Sequence, residues 1–333
     1  MDLVVIVAIV ASLFAVIGLS DPLADRLRLP TTVILAGMGI LIGVLSTALI
    51  ALPVPEGIAA SAEAIQTLPI RANLFLFVFL PTLIFQVALT IDLRRMLDDW
   101  VPILTMAVVA VVVSTLVVGY AIYPLSSLSL MACLMIGAIV STTDPSAVVG
   151  IFRSTPAPQR LARIVEGESL LNDAAAIALF GLFFAFVAFG IPSPRIEQVI
   201  VEFPWLIAGG ALSGWFLGRL AVVGLARLGH YPLGQMSLSV ALPYLVYLLA
   251  ELVLQSSGVI AVVAAGLALN FNAPGQLTSS ARTKLRDTWD LLAYWAGGMI
   301  FVLAALRIPG LLADVRAWDF LMIGVTVIAA LTA

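Results

Sequence analysis

The sequence predicts an all-α polytopic membrane protein, and three observations carry this prediction. Hydrophobic residues make up 62% of the 333 residues, and charged residues only 11%, whereas a typical globular domain has about 25% charged residues. The mean hydropathy is +1.16. Long apolar runs recur from one end of the chain to the other, as expected of a membrane domain and not of a soluble domain with one anchor.

Apolar runs of about 20 residues, separated by charged, proline or polar clusters, are predicted to be the transmembrane helices. The first run lacks the basic segment and cleavage site of a signal peptide, so we interpret it as a helix of the mature protein. The last run is short for a span, so we expect the chain to be a C-terminally truncated piece of a longer membrane domain. The eleven runs cover residues 3–20, 31–52, 69–90, 101–122, 129–152, 164–188, 202–224, 233–252, 256–271, 288–308 and 318–333.

The basic residues of the loops predict an orientation. With the first loop in the cytoplasm, twelve of the 16 basic residues fall on the cytoplasmic side, and Arg71, Arg195, Arg307 and Arg316 fall outside. This asymmetry is what the positive-inside rule requires. We therefore expect a multi-pass protein of the cell (inner) membrane with its N-terminus outside.

The composition excludes several classes of function. Because 16 basic residues face 19 acidic ones, the chain has no excess of positive charge for binding nucleic acid. Cys133 is the only cysteine and His230 the only histidine. This excludes a disulfide framework, a cysteine-rich metal site, a His-Glu-x-x-His metalloprotease and a histidine-based triad. The sequence also has no Walker motif, so no nucleotide is expected.

A polar cluster, Ser-Thr-Thr-Asp-Pro-Ser, interrupts the middle of the run 129–152. Pro145 has no N–H and disfavours helix at the residue before it, while Asp144 suits a helix N-cap. One helix is therefore predicted to end near residues 140–143 and another to begin at Pro145. Irregular backbone at this depth is tolerated only inside protein or around a water-filled cavity, and broken helices line the ion sites of secondary transporters. A proline kink with a structural cap is the alternative interpretation.

A second polar cluster opens the next apolar run. Ser169 and Asp173 are four residues apart and share a helix face, and Glu168 and Asn172 share the neighbouring face. These oxygen-bearing side chains suit a small dehydrated cation, and a carboxylate can also take and release a proton. The alternative is a polar patch near the positive end of the helix dipole. That alternative fits Glu166 but not Asp173, which lies about two turns inside and precedes apolar residues.

Three glycines in the run 202–224 repeat every four residues: Gly210, Gly214 and Gly218. Small residues at this spacing allow the backbones of two membrane helices to approach closely. We interpret them as packing positions.

The two polar clusters together resemble the monovalent cation/proton antiporters, in the branch of the sodium/proton exchangers and their prokaryotic NhaP-type relatives. Thr143-Asp144-Pro145 is followed about twenty residues later by Gly-Glu-Ser-Leu-Leu-Asn-Asp-Ala, which begins at Gly167. Other segments are similar to the third helix of the family, its ninth helix and the Trp-rich helix that follows: Phe79-Leu80-Pro81 with Phe85, Leu248 to Leu252 with Ser257-Gly258-Val259, and Trp289 to Leu306.

The resemblance implies the inverted-repeat antiporter fold, in which two broken helices cross at mid-membrane. About 11 of the 13 helices expected of that fold are present in this sequence. Residues 1–333 would then form one transporter domain. Its first repeat would be about 1–188, a linker helix about 200–225, and an incomplete second repeat about 233–333.

The resemblance also implies roles for the polar residues. Asp173 would carry either the cation or the proton, and Ser169 and Thr143 would be further ligands of the monovalent cation. Thr143 and Asp144 would lie on the first broken helix, ahead of Pro145. Asn172 would support the crossing region. Glu168 is expected to pair with an arginine on a later helix.

Two features depart from the family pattern. Gln86 stands in the third helix where the family often has an acid, so one expected carboxylate is missing. The late broken helix with its Trp-Gly-Leu-Arg-Gly motif is absent from this sequence, and with it the expected arginine partner of Glu168.

The resemblance implies a secondary transporter and not an enzyme. It would exchange sodium, or potassium or lithium, for protons by competition at Asp173 with alternating access, electroneutrally and without a cofactor. A homodimer in the lipid bilayer is expected. One alternative is an intramembrane aspartyl protease built on Asp144 and Asp173, although its Tyr-Asp and Gly-x-Gly-Asp signatures are missing. A cation channel and an inactive fragment are the others.

Overall fold

The computed structural model describes most of the chain, and the described residues are helical apart from short connections. The described ranges are 3–53, 55–67, 74–90, 98–142, 196–313 and 324–328, with residues 158, 160–162, 164–165, 167–169, 171–172, 175–176, 179–180 and 183. Within these residues, seven helices are long and apolar enough to cross a membrane. The prediction of an all-α, multi-span membrane protein is confirmed.

The helices follow one another with short connections. In chain order they are α1 Leu3–Leu27, α2 Thr31–Ala51, α3 Glu56–Gln66, a π-helix Phe75–Phe79 continuing as α4 Leu80–Thr90, α5 Trp100–Ile122 with a 3-10 turn Tyr123–Leu125, α6 Leu130–Val140, α7 Ile196–Arg227, α8 Pro232–Leu248 continuing as a π-helix Leu249–Val253, α9 Gly258–Gln276, α10 Ser279–Leu306 and α11 Ile308–Ala313. Residues 324–328 and most described residues between 160 and 183 are also helical.

The apolar runs locate the membrane part of each helix better than its ends. The run 101–122 matches α5 to within one residue. In contrast, α1 continues through Pro22 to Leu27, and α10 begins at Ser279, nine residues before the apolar run. A helix propagates at little cost once it is formed, so it extends into charged sequence that hydropathy excludes.

The third membrane helix changes its winding ahead of a proline. The π-helix ends at Phe79, and the N–H of Leu80 donates to the Phe75 carbonyl. Pro81 has no N–H to offer. The hydroxyl of the next residue, Thr82, donates to the Val78 carbonyl at 2.7 Å.

The chain divides into two compact units, which are described separately. The first comprises residues 1–86, 231–244 and 279–315, and the second comprises residues 87–230, 245–278 and 316–333. The division falls inside α4, after Gln86, and inside α8, after Tyr244.

In the first unit, α10 packs closely on α2. Ile17, Leu35 and Val302 form a buried apolar cluster. A Cβ atom added at Gly39 would lie 2.5 Å from the Val302 carbonyl oxygen, and one added at Gly43 only 2.6 Å from that of Leu306. These two glycines, four residues apart, therefore let the backbones meet.

A polar contact ties α1 to α10 in the same unit. The Tyr294 hydroxyl lies 2.8 Å from the Ile17 carbonyl oxygen and 2.9 Å from an oxygen of the Asp21 carboxylate. The Thr31 hydroxyl donates to the other Asp21 oxygen at 3.1 Å. Three helices thus share one carboxylate.

In the second unit, α7 packs on α9 through the three glycines. A Cβ atom at Gly214 would lie 2.0 Å from the Ala261 carbonyl oxygen, and one at Gly218 only 2.6 Å from that of Ala265. The packing interpretation of these glycines is confirmed. Elsewhere in this unit, α5 and α6 bury Cys133 together with Val118 and Ile122.

We expect Gly214→Ala to destabilise the protein by about 1–3 kcal/mol, because the added methyl group has no space against the α9 backbone. The measurement is the thermal unfolding midpoint of the detergent-purified protein. Gly275→Ala is the matched control, because nothing lies within 4 Å of its added Cβ atom on α9. Equal losses in both variants would contradict the close approach.

Candidate functional site

The predicted site residues are only partly described by the structure. Glu168, Ser169, Asn172 and Gln86 lie among the described residues. Thr143, Asp144, Pro145 and Asp173 lie outside the described residues.

The first polar cluster begins where α6 ends. The helix stops at Val140, and the Ser141 hydroxyl donates to the Ala138 carbonyl at 2.8 Å. Thr142 is exposed and has no regular secondary structure. The helix therefore ends ahead of residue 143, at the place predicted from Pro145.

The second cluster presents its polar side chains toward the protein interior. Asn172 is 0% exposed and Ser169 is 7% exposed. The Asn172 side-chain nitrogen donates to a Glu168 carboxylate oxygen at 3.0 Å. This bond joins residues i and i+4 of one helical segment, which is the geometry expected from their spacing.

Among the described residues Glu168 accepts from Asn172, and its pairing with an arginine on a later helix stays a prediction. An arginine would neutralise the glutamate, whereas the Asn172 amide donates a hydrogen bond and carries no charge. The negative charge of Glu168 is therefore held next to the buried hydroxyl of Ser169 without being cancelled by this partner.

An ion pair between the exposed Arg160 and the buried Asp99 lies at the beginning of the same segment. The Arg160 guanidinium donates to the Asp99 carboxylate at 2.8 Å, and the side chains are 67% and 6% exposed, respectively. Asp99 immediately precedes α5, so the pair joins the start of α5 to the segment that carries Ser169 and Asn172. Sequence analysis missed this pair because its members are 61 residues apart and look like ordinary loop charges.

In the first unit, Gln86 has an acidic partner. Its side-chain nitrogen donates to the Asp290 carboxylate at 2.7 Å. Sequence analysis singled out Gln86 as a missing acid but overlooked Asp290. The signal was present, since Asp290 is an acid inside the predicted apolar run 288–308.

Glu251 has a structural role at the start of α9. Its carboxylate accepts a hydrogen bond from the Gly258 N–H at 2.9 Å, and the Ser257 hydroxyl accepts one from the Ile260 N–H at 3.3 Å. Both groups satisfy amides that a helix start leaves unpaired.

A group of three or more His, Cys, Asp or Glu side chains suited to a metal ion is not found in the part of the chain that the structure describes. Oxygen ligands for a monovalent ion need no such group, because hydroxyl and carbonyl oxygens serve as well. In the described part of the second unit, the Ser169 hydroxyl and the Asn172 amide offer such oxygens near Glu168.

Comparison with known proteins gives a consistent result. The family described as sodium/hydrogen exchanger, transmembrane, matches residues 9–333. The Na(+)/H(+) antiporter ApNhaP of Aphanothece halophytica is 31% identical over 248 residues, which cover 74% of this chain and 47% of that protein. The Na(+)/H(+) antiporter NhaG of Bacillus atrophaeus is 30% identical over 291 residues, which cover 86% of this chain and 53% of that protein. The chain spans about half the length of these relatives.

A solved structure shares the fold. The sodium proton antiporter MjNhaP1 from Methanocaldococcus jannaschii superposes with a TM-score of 0.72 at 18% sequence identity, covering 100% of this chain and 80% of that one. This similarity confirms the predicted antiporter fold.

We expect Arg160→Met to destabilise the protein by about 1 kcal/mol, because it removes the cationic partner of a buried carboxylate, while the exposure of Arg160 limits the loss. Thermal unfolding at low and high choline chloride measures it. The difference from wild type should shrink at high salt, which screens the ion pair.

Arg219→Met is the control for this prediction, because Arg219 is an exposed cation on α7 of the same unit. Its effect should stay within about 0.5 kcal/mol. A loss of equal size in the two variants would show that Arg160 contributes only surface charge.

Proposed function

This chain belongs to the sodium/hydrogen exchanger family, and we propose that it is a secondary transporter that exchanges a monovalent cation for protons across the cell membrane. The observation that carries the proposal is the family match over residues 9–333. Sodium is the cation we propose first, because the relatives described above are Na(+)/H(+) antiporters. The proposed function is transport, and it uses no cofactor.

The proposed site is built on one carboxylate. Asp173 would bind the cation or the proton, with Ser169 and Thr143 as further cation ligands. The burial of Ser169 supports its part, because a hydroxyl shielded from water can replace a water molecule of the ion. The four-residue spacing puts Ser169 and Asp173 on one helix face. Asp144 would cap the helix that begins at Pro145.

Because position 172 is an asparagine, Asp173 would be the single titrating acid of the site. The position directly before Asp173 is occupied by an amide, and that amide donates to Glu168. One carboxylate can hold one positive charge, so a bound proton and a bound cation exclude each other. The expected result is electroneutral exchange of one cation for one proton, with the site exposed to each side of the membrane in turn.

We also propose the arrangement of the protein in the membrane. Twelve of the 16 basic residues fall on the side assigned to the cytoplasm when the N-terminus is outside. Residues 1–188 would form one inverted repeat, followed by a linker helix at about 200–225, and residues 233–333 would belong to the second. Two copies would form a homodimer in which each protomer carries its own site.

The test is transport by the protein, expressed to its natural stop codon and reconstituted in liposomes that contain a pH-sensitive dye. We expect an inward gradient of sodium, potassium or lithium to drive proton efflux, and Asp173→Asn to abolish it. Ser169→Ala should raise the apparent KM for the cation by about tenfold, because one oxygen ligand is lost. Asp25→Asn, which removes an exposed acid on α1, should leave the exchange unchanged.

Several results would refute this proposal. Exchange that survives Asp173→Asn would remove that carboxylate from the mechanism. Cation flux without proton coupling would indicate a channel. Cleavage of a membrane peptide that persists in Asn172→Ala and stops in Asp144→Asn would indicate an aspartyl protease. A folded wild-type protein that moves neither cations nor protons would be an inactive fragment.

A further inference from the structure

Asp290 is an acid in a membrane helix that the proposed mechanism does not use. It lies on α10, one turn beyond Arg286 and just inside the apolar part of that helix. Its side chain is exposed on the surface of the chain. An ionised carboxylate is costly in contact with lipid, so acids at such positions face protein or a water-filled cavity and mark ion or proton routes.

Its partner holds the carboxylate without neutralising it. The Gln86 amide on α4 donates to one Asp290 oxygen at 2.7 Å, and both residues belong to the first unit. A carboxamide supplies a hydrogen bond but no positive charge. This hydrogen bond therefore leaves the negative charge of Asp290 uncancelled.

The surroundings fix this pair in place. Directly before it on each helix, Phe85 and Trp289 are both 0% exposed, and their ring centroids are 4.7 Å apart. One turn earlier on α4, the hydroxyls of Thr82 and Tyr244 lie 2.7 Å apart. Gln86 and Asp290 thus extend from a packed aromatic contact and are not two mobile surface side chains.

The pair lies near the charged first turns of α10. Arg286 on α10 is exposed and precedes Asp290 by one turn. In the proposed orientation this end of α10 lies on the cytoplasmic side, so Asp290 sits about one turn inside the cytoplasmic boundary of its helix. An acid at this depth attracts small cations at the cytoplasmic side.

We propose that Asp290, positioned by Gln86, is a second carboxylate of the cation route, which attracts the transported cation at the cytoplasmic side and sets its apparent affinity. This inference rests on the proposed cation/proton exchange. It assigns Asp290 to recruitment of the ion and leaves the proton competition at Asp173. It also explains why an amide can stand at position 86, since the negative charge of the pair is supplied from α10.

The competing explanation is a brace, in which the hydrogen bond between Gln86 and Asp290 only joins two helices. Asp290→Asn separates the two, because an asparagine oxygen still accepts from the Gln86 amide while the charge is lost. A brace predicts normal transport by this variant. A recruiting charge predicts weaker cation affinity with a preserved maximal rate.

The experiment measures proton movement driven by sodium added on the cytoplasmic side of oriented vesicles at low ionic strength. We expect Asp290→Asn to raise the apparent KM for sodium by about tenfold and to change the maximal rate by less than about twofold, because one attracting charge is lost. Asp287→Asn is the matched control, an exposed acid three residues away on the same helix. Its KM should change by less than about twofold, because surface charges are screened.

The double variant Gln86→Glu with Asp290→Asn moves the charge to the other side of the same hydrogen bond. Its KM should return to within about threefold of wild type, because one negative charge is again present beside the same hydrogen bond. If Asp290→Asn alone does not fold, the double variant decides. A KM near that of wild type supports the proposal, and a KM raised about tenfold overturns it.

The proposed function and this inference fail in different ways. A wild-type protein that exchanges no cation for protons refutes the function itself. A wild-type protein that exchanges, with Asp290→Asn matching it in KM or matching the Asp287→Asn control, refutes only the role of Asp290. A loss of maximal rate at constant KM would also overturn it, because a recruiting charge acts on the apparent affinity and not on the maximal rate.

Discussion

The absence of water in the bilayer core governs this structure, because every polar group there must find its partner within the protein. On α4 the Thr82 hydroxyl, next to Pro81, donates to the Val78 carbonyl. At the end of α6, the Ser141 hydroxyl does the same for Ala138. The Tyr294 hydroxyl reaches the Ile17 carbonyl from another helix. These hydroxyl groups therefore give backbone carbonyls a partner within the protein.

Two carboxylates meet the same requirement with carboxamides. Glu168 accepts from Asn172 in the second unit, and Asp290 accepts from Gln86 in the first. An arginine or lysine would satisfy the hydrogen-bonding need and cancel the charge as well. An amide satisfies only the first, so neither of these two hydrogen bonds cancels the negative charge. In the proposed cation exchange, such a partner would keep the electric field of the carboxylate and avoid an unpaired polar group.

Much of the fold follows from the sequence because hydropathy alone decides which segments can enter a membrane. The spans of α2 and α5, the end of α6 ahead of Pro145 and the close approach at Gly214 all depend on local pattern. The polar helix α3 and the charged first turns of α10 could not be predicted from apolar runs. Hydropathy identifies apolar segments and gives no signal for a helix made of polar residues.

Less of the candidate site than of the fold could be predicted from the sequence, because several of its contacts join distant helices. The hydrogen bond between Asn172 and Glu168 could be predicted from their spacing, since helical periodicity fixes which residues share a face. The pairing of Arg160 with Asp99, and of Gln86 with Asp290, depends on how distant helices meet. Spacing within one helix carries no information about such contacts. Asp290 alone could have been noticed earlier, as a charge within an apolar run.

The burial of Cys133 has a practical consequence for following this protein in motion. It is the only cysteine in the chain, its side chain is 0% exposed, and its sulfur lies 3.4 Å from the Ser126 hydroxyl. Water-soluble maleimides and nitroxide spin labels therefore have no native thiol to modify on the folded protein. Single cysteines placed on chosen helices can be labelled in an otherwise unaltered chain, and distances between labels can then be compared at different pH and salt.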